Sequence, residues 1–380
     1  MKVAEVIAKN LKELQDEFNL NQTEMGEIIG VTRQTFAKYL DGERVMDSGK
    51  LYKLARCFDK EIDFFLSEKS KREKVSFMFR ADDPENNFDD KLKNKIAEKF
   101  KLYHEIIELS DDPVKDYLPE EYKLKIEGNK LNEKEKTAID KIAEKQRRYM
   151  GVDDALNINV FTLFEENNIN VIAQEIKNAN LDAVSAYSED KGAYIFINDS
   201  RDIPEERKIF SAVHELGHLI LHRDQYSKDI SDLKYANTRI KDIREKAADH
   251  FAMAFLVPAK VLKNYDYYFD GYIDLDLIIE KKREFGVSAK SLIMILNKYG
   301  YINGKILGAL FKKLKEAGYD KKEPEPRDYV RKNEKLFALV RKLVIKEEIT
   351  INKAAEVLNI SVLEMRKLAK KWKNYEYRTA

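Results

Sequence analysis

Three of the chain's histidines fall in one short stretch, SAVHELGHLILH, from Ser211 to His222. On a helix, residues four apart lie one above the other on the same face. His214 and His218 can therefore present two imidazoles to one ion, with Glu215 beside the ion's open position. The chemistry this spacing serves is hydrolysis: two nitrogen ligands, and a carboxylate that takes a proton from water acidified by a metal. The plainer alternative is a helix whose histidines are solvated or satisfied by neighbours.

A third ligand must come from a second element. The later stretch REKAADHFAMAFLVP opens another helical pattern carrying Glu245, Asp249 and His250. A carboxylate from that helix completes a His–His–Glu site, with water as the fourth ligand. Asp249, one turn beyond Glu245, is placed to accept the free N–H of a ligating histidine, or else is an ordinary surface acid. His222 extends the same face by one more turn, too far along the axis to be an expected third ligand. His250 points away from Glu245's neighbours by the helical twist, so it either assists the site or fills space. His104 stands alone among charges and is expected to be exposed.

At these residues a resemblance becomes specific. ERKIFSAVHELGHLILH followed by EKAADHFAMAFLVP resembles the ImmA/IrrE family of metallo-endopeptidases. The likeness runs over about 135–300 and includes NNINVIA, GAYIFIN and FGVS. It implies a zincin-like fold with His214, His218 and Glu245 as metal ligands, Glu215 as base and Zn2+ as the ion, Mn2+ or Fe2+ being alternatives for such a donor set. Ala247 departs from the family pattern, where a polar or acidic residue is usual, and touches none of this chemistry.

These residues need elements to hold them. The runs INVIAQ, DAVSAYS and AYIFIN are short, β-branched and aromatic, the last two joined as a hairpin by SEDKGA. KTAIDKIAEKQRRYMG, NVFTLFEENN and the stretch from Pro204 to about 300 read as helices. The fold expected is mostly α with a small β-sheet, an α+β arrangement in four parts. Residues 1–67 form a helix-turn-helix bundle, 68–131 a helical connector, 132–300 the zincin-like domain, and 301–380 a basic helical domain.

The first part contains NQTEMGEIIGVTRQTFAKYLDGE, similar to the XRE/Cro-type helix-turn-helix. In its first helix Val3, Ile7, Leu11 and Leu14 mark one buried face. The resemblance implies that Arg33, Gln34, Thr35 and Lys38 face the major groove while Gln22 and Thr32 bond phosphates. Gly26 stands where alanine is typical. Residues 1–67 carry 10 Lys+Arg against 12 Asp+Glu, few cations for phosphate neutralisation; a protein-docking module is the alternative. Residues 321–380 carry 16 against 9. There, Thr350, Asn359 and Ser361 repeat a cap–break–cap rhythm, and MRKLAKKWK reads as a solvated basic face or a second DNA-contacting surface.

Composition sets the outer bounds. The net charge of +1 does not by itself mark a nucleic-acid binder. Cys57 is the one cysteine, so no intrachain disulfide can form, which fits a reducing cytoplasm. The first residues have amphipathic helical spacing rather than that of a signal peptide, and no apolar run approaches the ~18 residues of a membrane span. The expected function is a cytoplasmic DNA-binding regulator whose zinc-dependent endopeptidase site cleaves a partner helix-turn-helix repressor or its own linker, in a stress or mobile-element response. Its expected partners are double-stranded DNA, that protein substrate and, as a further candidate, a second copy of the chain. The alternative is an XRE-type transcription factor or antitoxin whose metal domain senses a ligand without proteolysis.

Overall fold

The computed structural model describes residues 3–18, 20–58, 60, 62–66, 76–78, 90–110, 121–122, 124, 130–176, 181–188, 191–223, 238–319 and 322–379. Residues 1–74 form one compact unit and residues 75–380 another.

The smaller unit contains α1 (Val3–Phe18), α2 (Gln22–Ile29), α3 (Arg33–Leu40), α4 (Ser48–Cys57) and α5 (Ile62–Leu66). Ile7, Leu11 and Leu14 bury against Met25, Ile29, Phe36, Leu54 and Phe65. Val3, expected on the same face, is exposed, because it lies a turn short of that core. Asn21 opens α2 with a capping box to Glu24, and Gly30 closes it at φ 75°. Gly26 has a steric reason: a Cβ there would lie 2.8 Å from the Val31 carbonyl oxygen, so the turn between α2 and α3 can approach only a glycine. Thr32 caps α3 by accepting the Thr35 N–H.

The larger unit is built on a four-stranded sheet in the order β1-β3-β4-β2. Its strands are β1 (Ser76–Met78), β2 (Ile169–Gln174), β3 (Ala183–Ser188) and β4 (Gly192–Asn198). β3 and β4 pair antiparallel, as a hairpin requires, while β2 runs parallel to β4. Successive strand residues point to opposite faces, and both faces are covered. On one face Val171, Ala183, Ile195 and Ile197 join a core shared with α7 (Glu133–Tyr149), α8 (Val160–Glu166), α9 (Glu205–Leu221) and the long helix Thr238–Leu256, called α10 below. The short α11 (Ala259–Leu262) and α12 (Asp266–Phe269), then α13 (Leu275–Phe285), α14 (Ala289–Lys298) and α15 (Gly304–Glu316), add to this layer.

On the other face Ile172, Val184, Tyr194 and Phe196 pack against the connector helix α6 (Asp90–Leu109) and the C-terminal α16 (Glu334–Ile345), α17 (Ile351–Leu358) and α18 (Val362–Thr379). The expected connector and tail thus share one core with the sheet. Ile96, Phe100, Tyr103 and Ile106 give α6 the apolar stripe that makes this possible. His104, expected to be exposed, is half-buried with its Nδ1 3.1 Å from the Tyr194 hydroxyl. No described helix is long and apolar enough to cross a membrane.

The start of α9 is fixed by buried charge. Glu205 meets Lys208 at 2.8 Å and Lys332 at 2.7 Å, and Glu206 meets Lys282 at 2.9 Å. Carboxylates in a first helical turn also complement the positive end of the helix dipole. The Arg327 and Val330 N–H groups donate to the same two carboxylates. The chain before α16 is thereby strapped across the entry of the helix that carries His214 and His218.

Candidate metal centre

His214, Glu215 and His218 all lie on α9 and are almost fully buried. Glu245 comes from α10, which crosses against α9 at Gly217. A Cβ on Gly217 would stand 3.2 Å from both Ala248 Cα and the Phe251 ring. Glycine in one helix and alanine in the other let the two backbones approach, and that approach carries the Glu245 carboxylate to the imidazoles. His214 Nε2 is 3.2 Å from Glu245 Oε2, and His218 Nε2 is 3.4 Å from Glu245 Oε1. The two Nε2 atoms stand 3.0 Å apart. One donor atom from each residue lies within 4.8 Å of the others.

The outer nitrogens are engaged elsewhere. His214 Nδ1 lies 2.7 Å from Asp249 Oδ1, and His218 Nδ1 lies 3.0 Å from His222 Nδ1. With those atoms committed, both Nε2 atoms are aimed inward at one point. Burial pulls the His214 pKa down, but hydrogen bonds to Asp249 and Glu245 outweigh it and push it up to about 10. Burial would raise Glu245, yet His214 and His218 hold it well below the usual carboxylate range. His222 is driven far below its ordinary value by burial and then by His218, so it stays neutral. The centre therefore attracts positive charge. Among the described residues no lysine or arginine pairs with the Glu245 carboxylate, which faces only the two imidazoles. Two imidazoles and a carboxylate converging in a buried place fit a divalent cation.

Glu215 is held from the sheet. Ser185 Oγ on β3 donates to Glu215 Oε2, while Glu215 Oε1 is buried with no hydrogen-bond partner. One carboxylate oxygen is thus fixed and the other left to accept a proton. Sequence reasoning had no role for Ser185; its one signal is a polar residue at an inward position of an otherwise apolar strand, AVSAYS. It also gave His222 no task, although the i,i+4 spacing from His218 was visible.

A second histidine cluster lies along the same α10. His250 Nε2 is 3.0 Å from Asp140 Oδ1, and Lys298 Nζ is 2.7 Å from that same oxygen. His250 therefore faces α7 and α14 rather than Glu245. In the smaller unit Arg33, Gln34 and Lys38 are exposed on α3, Thr35 is half-buried against Thr32, and Gln22 is half-buried at the start of α2.

Residues 164–297 match the model of the family Peptidase_M78, described as the IrrE N-terminal-like domain. This region is of metallopeptidase type. The matched region begins within α8 and ends within α14, so it encloses β2, β3, β4, α9 and α10 with Ser185, His214, Glu215, His218, Glu245 and Asp249. Among solved structures the chain is similar to a Mycobacterium tuberculosis transcriptional regulator, at 17% identity and a TM-score of 0.31. That match covers 52% of this chain and 51% of the other, so the chain spans about half the length of that structure. No curated protein matches the chain.

Proposed function

We propose that the chain is a DNA-binding regulator whose larger unit is a zinc-dependent endopeptidase, cutting a protein partner such as a helix-turn-helix repressor. The observation that carries this reading is the buried convergence of His214, His218 and Glu245 beside a carboxylate, Glu215, with one oxygen anchored and one free. His214, His218 and Glu245 would hold the ion. Such an ion supplies Lewis acidity, bringing the pKa of water toward ~7 and polarising a peptide carbonyl. Glu215 Oε1 accepts the proton from the attacking water and returns it to the leaving amine. Ser185 keeps that carboxylate in one orientation. Asp249 fixes the His214 tautomer with Nδ1 protonated, and His222 does the equivalent work for His218. A metal site that only sensed a ligand would need no such poised base.

DNA binding is assigned to α2 and α3. The capped, Gly-turned pair with an exposed Arg33, Gln34 and Lys38 is the arrangement that presents a recognition helix to a major groove, and Gln22 and Thr32 are assigned to phosphates. The zinc-loaded chain incubated with candidate repressors, beside Glu215→Gln, tests the peptidase half. Cleavage by the wild type alone is expected; zinc retained with no cleavage by either would favour a ligand sensor. Gel shifts at two salt concentrations test the other half. Arg33→Ala and Lys38→Ala should each weaken specific binding by ~1–3 kcal/mol where a base contact is lost, with zinc content unchanged. Wild-type affinity in both variants would make the bundle a protein-docking module.

A further inference from the structure

α17 and α18 repeat, hydrogen bond for hydrogen bond, the local geometry of α2 and α3. Asn21 caps α2 by accepting the Glu24 N–H at 3.1 Å, and Thr350 caps α17 by accepting the Lys353 N–H at 3.1 Å. Each helix then ends on a left-handed residue, Gly30 at φ 75° and Asn359 at φ 54°. The next N–H turns back to its helix in both pairs: Val31 donates to the Gly26 carbonyl at 2.9 Å, and Ile360 to the Ala355 carbonyl at 3.0 Å. Thr32 and Ser361 cap the following helices by accepting the N–H three residues on, at 3.3 and 3.2 Å. The buried positions agree as well, Phe36 and Leu40 in one pair, Met365 and Ala369 in the other. Two polar caps around one left-handed residue fix the turn between the helices.

The outer side of the second helix is where the pairs differ. α18 has exposed Val362 and Leu363 at the places that Arg33 and Gln34 hold in α3, followed by exposed Arg366, Lys367, Lys370 and Lys371. Residues four apart stack on a helix, so 366 with 370 and 367 with 371 form two adjoining cationic rows. Like charges at that spacing weaken a helix. Lys353 and Lys373 are paired, with Glu105 and Glu347, whereas none of these four cations forms an ion pair among the described residues. The opposite side of α18 carries Met365 and Ala369 into the core shared with the sheet, so the rows are held facing away from it.

We propose that α17 and α18 form a second nucleic-acid-binding helix-turn-helix, one that grips the phosphates of duplex DNA without reading its sequence. Regularly spaced, uncompensated cations on a fixed helix complement a phosphate backbone, and each phosphate neutralised releases a counterion. α18 has 18 residues, about 27 Å of helix, enough to lie along a groove. Val362 and Leu363 offer no hydrogen bond to a base edge; their base contact is limited to thymine methyl groups. Residues 321–380 carry 16 Lys+Arg against 9 Asp+Glu and so supply the charge that residues 1–67 lack. Phosphate contact by α18 is independent of the base reading assigned to α3 and of the peptidase.

The test uses the full zinc-loaded chain and a short fluorescent duplex of mixed sequence. Each phosphate contact steepens the fall of log affinity with log salt by about 0.9. Replacing all four cations, Arg366→Gln, Lys367→Gln, Lys370→Gln and Lys371→Gln, keeps helix propensity. It should flatten that slope by about 3.5, so that a fourfold rise in salt costs the wild type roughly a hundredfold more affinity than the variant. In the unsubstituted chain, the duplex should protect Lys367, Lys370 and Lys371 from acetylation and leave exposed Lys305 reactive, a readout that needs no variant to fold. Equal salt slopes, or equal acetylation with and without the duplex, overturn the proposal. A slope difference confined to one duplex sequence would overturn the sequence-independent grip. Polyglutamate of matched charge protecting these lysines better than the duplex would also sink it, and would mark the face as a dock for an acidic protein.

Discussion

Two histidine–carboxylate clusters meet along α10, and they differ in what balances their charge. At Asp140 the carboxylate is already matched by Lys298 at 2.7 Å, with His250 as a further hydrogen-bond partner at 3.0 Å. At Glu245 the partners are two imidazoles that face each other as well as the carboxylate. The first cluster is complete as a half-buried ion pair. The second has donors converging with less positive charge than they can hold. Proximity of histidine and carboxylate is common to both; uncompensated convergence belongs to one, and it is the better sign of a metal centre.

The largest expected contrast is in metal content. Glu245→Gln or His214→Ala should lower zinc affinity by more than the ~10–100-fold that outer-sphere partners are worth, whereas His250→Ala should leave stoichiometry unchanged by elemental analysis. Zinc lost equally from the His250 variant would erase the distinction between the clusters. Next comes the base. Glu215→Gln should keep zinc and lower peptide hydrolysis by ~10²–10⁴-fold, the range of general acid–base catalysis; undiminished turnover would remove Glu215 from the mechanism.

A smaller effect is expected one shell out. Asp249→Asn should weaken zinc by ~10–100-fold, because the amide no longer holds His214 Nδ1–H as a charged acceptor does. Competition against a chelator of known affinity measures it, and affinity equal to wild type would make Asp249 a surface acid. The smallest effect concerns pH. Burial lowers the His250 pKa, with the hydrogen bond to Asp140 opposing it. The unfolded chain therefore binds a proton near pH 6.5 that the folded chain refuses. The resulting stability is complete above that pH and shrinks as the pH falls. His250→Gln should flatten the slope of stability between pH 7 and 5 in denaturant titrations, and an unchanged slope would place that titration elsewhere.

Much of the site was legible because its signals are local. The i,i+4 spacing of His214 and His218 needs only helical geometry, and Asn21, Gly30, Thr32 and Thr350 each cap or end a helix within a few residues of themselves. The strands 169–174, 183–188 and 192–198 carry their own β-branched and aromatic composition. Gly217 and Ala248 were visible as motif letters, but their meaning was not. It lies in how closely α9 and α10 pass.

By itself, then, the sequence determined which segments become helices and strands, and which residue types could ligate a metal or move a proton. Those properties depend on backbone preference and on neighbours within one turn or one pleat. Tertiary structure alone decided that Ser185 restrains Glu215, that His222 steadies His218, and that Lys298 rather than an ion answers Asp140. It also decided that α6 and α16–α18 share a core across the sheet, and that residues 76–78 pair with β3. Each of these joins residues distant in the chain or turns on which side of an element meets which neighbour, and no periodicity within a single segment encodes that choice.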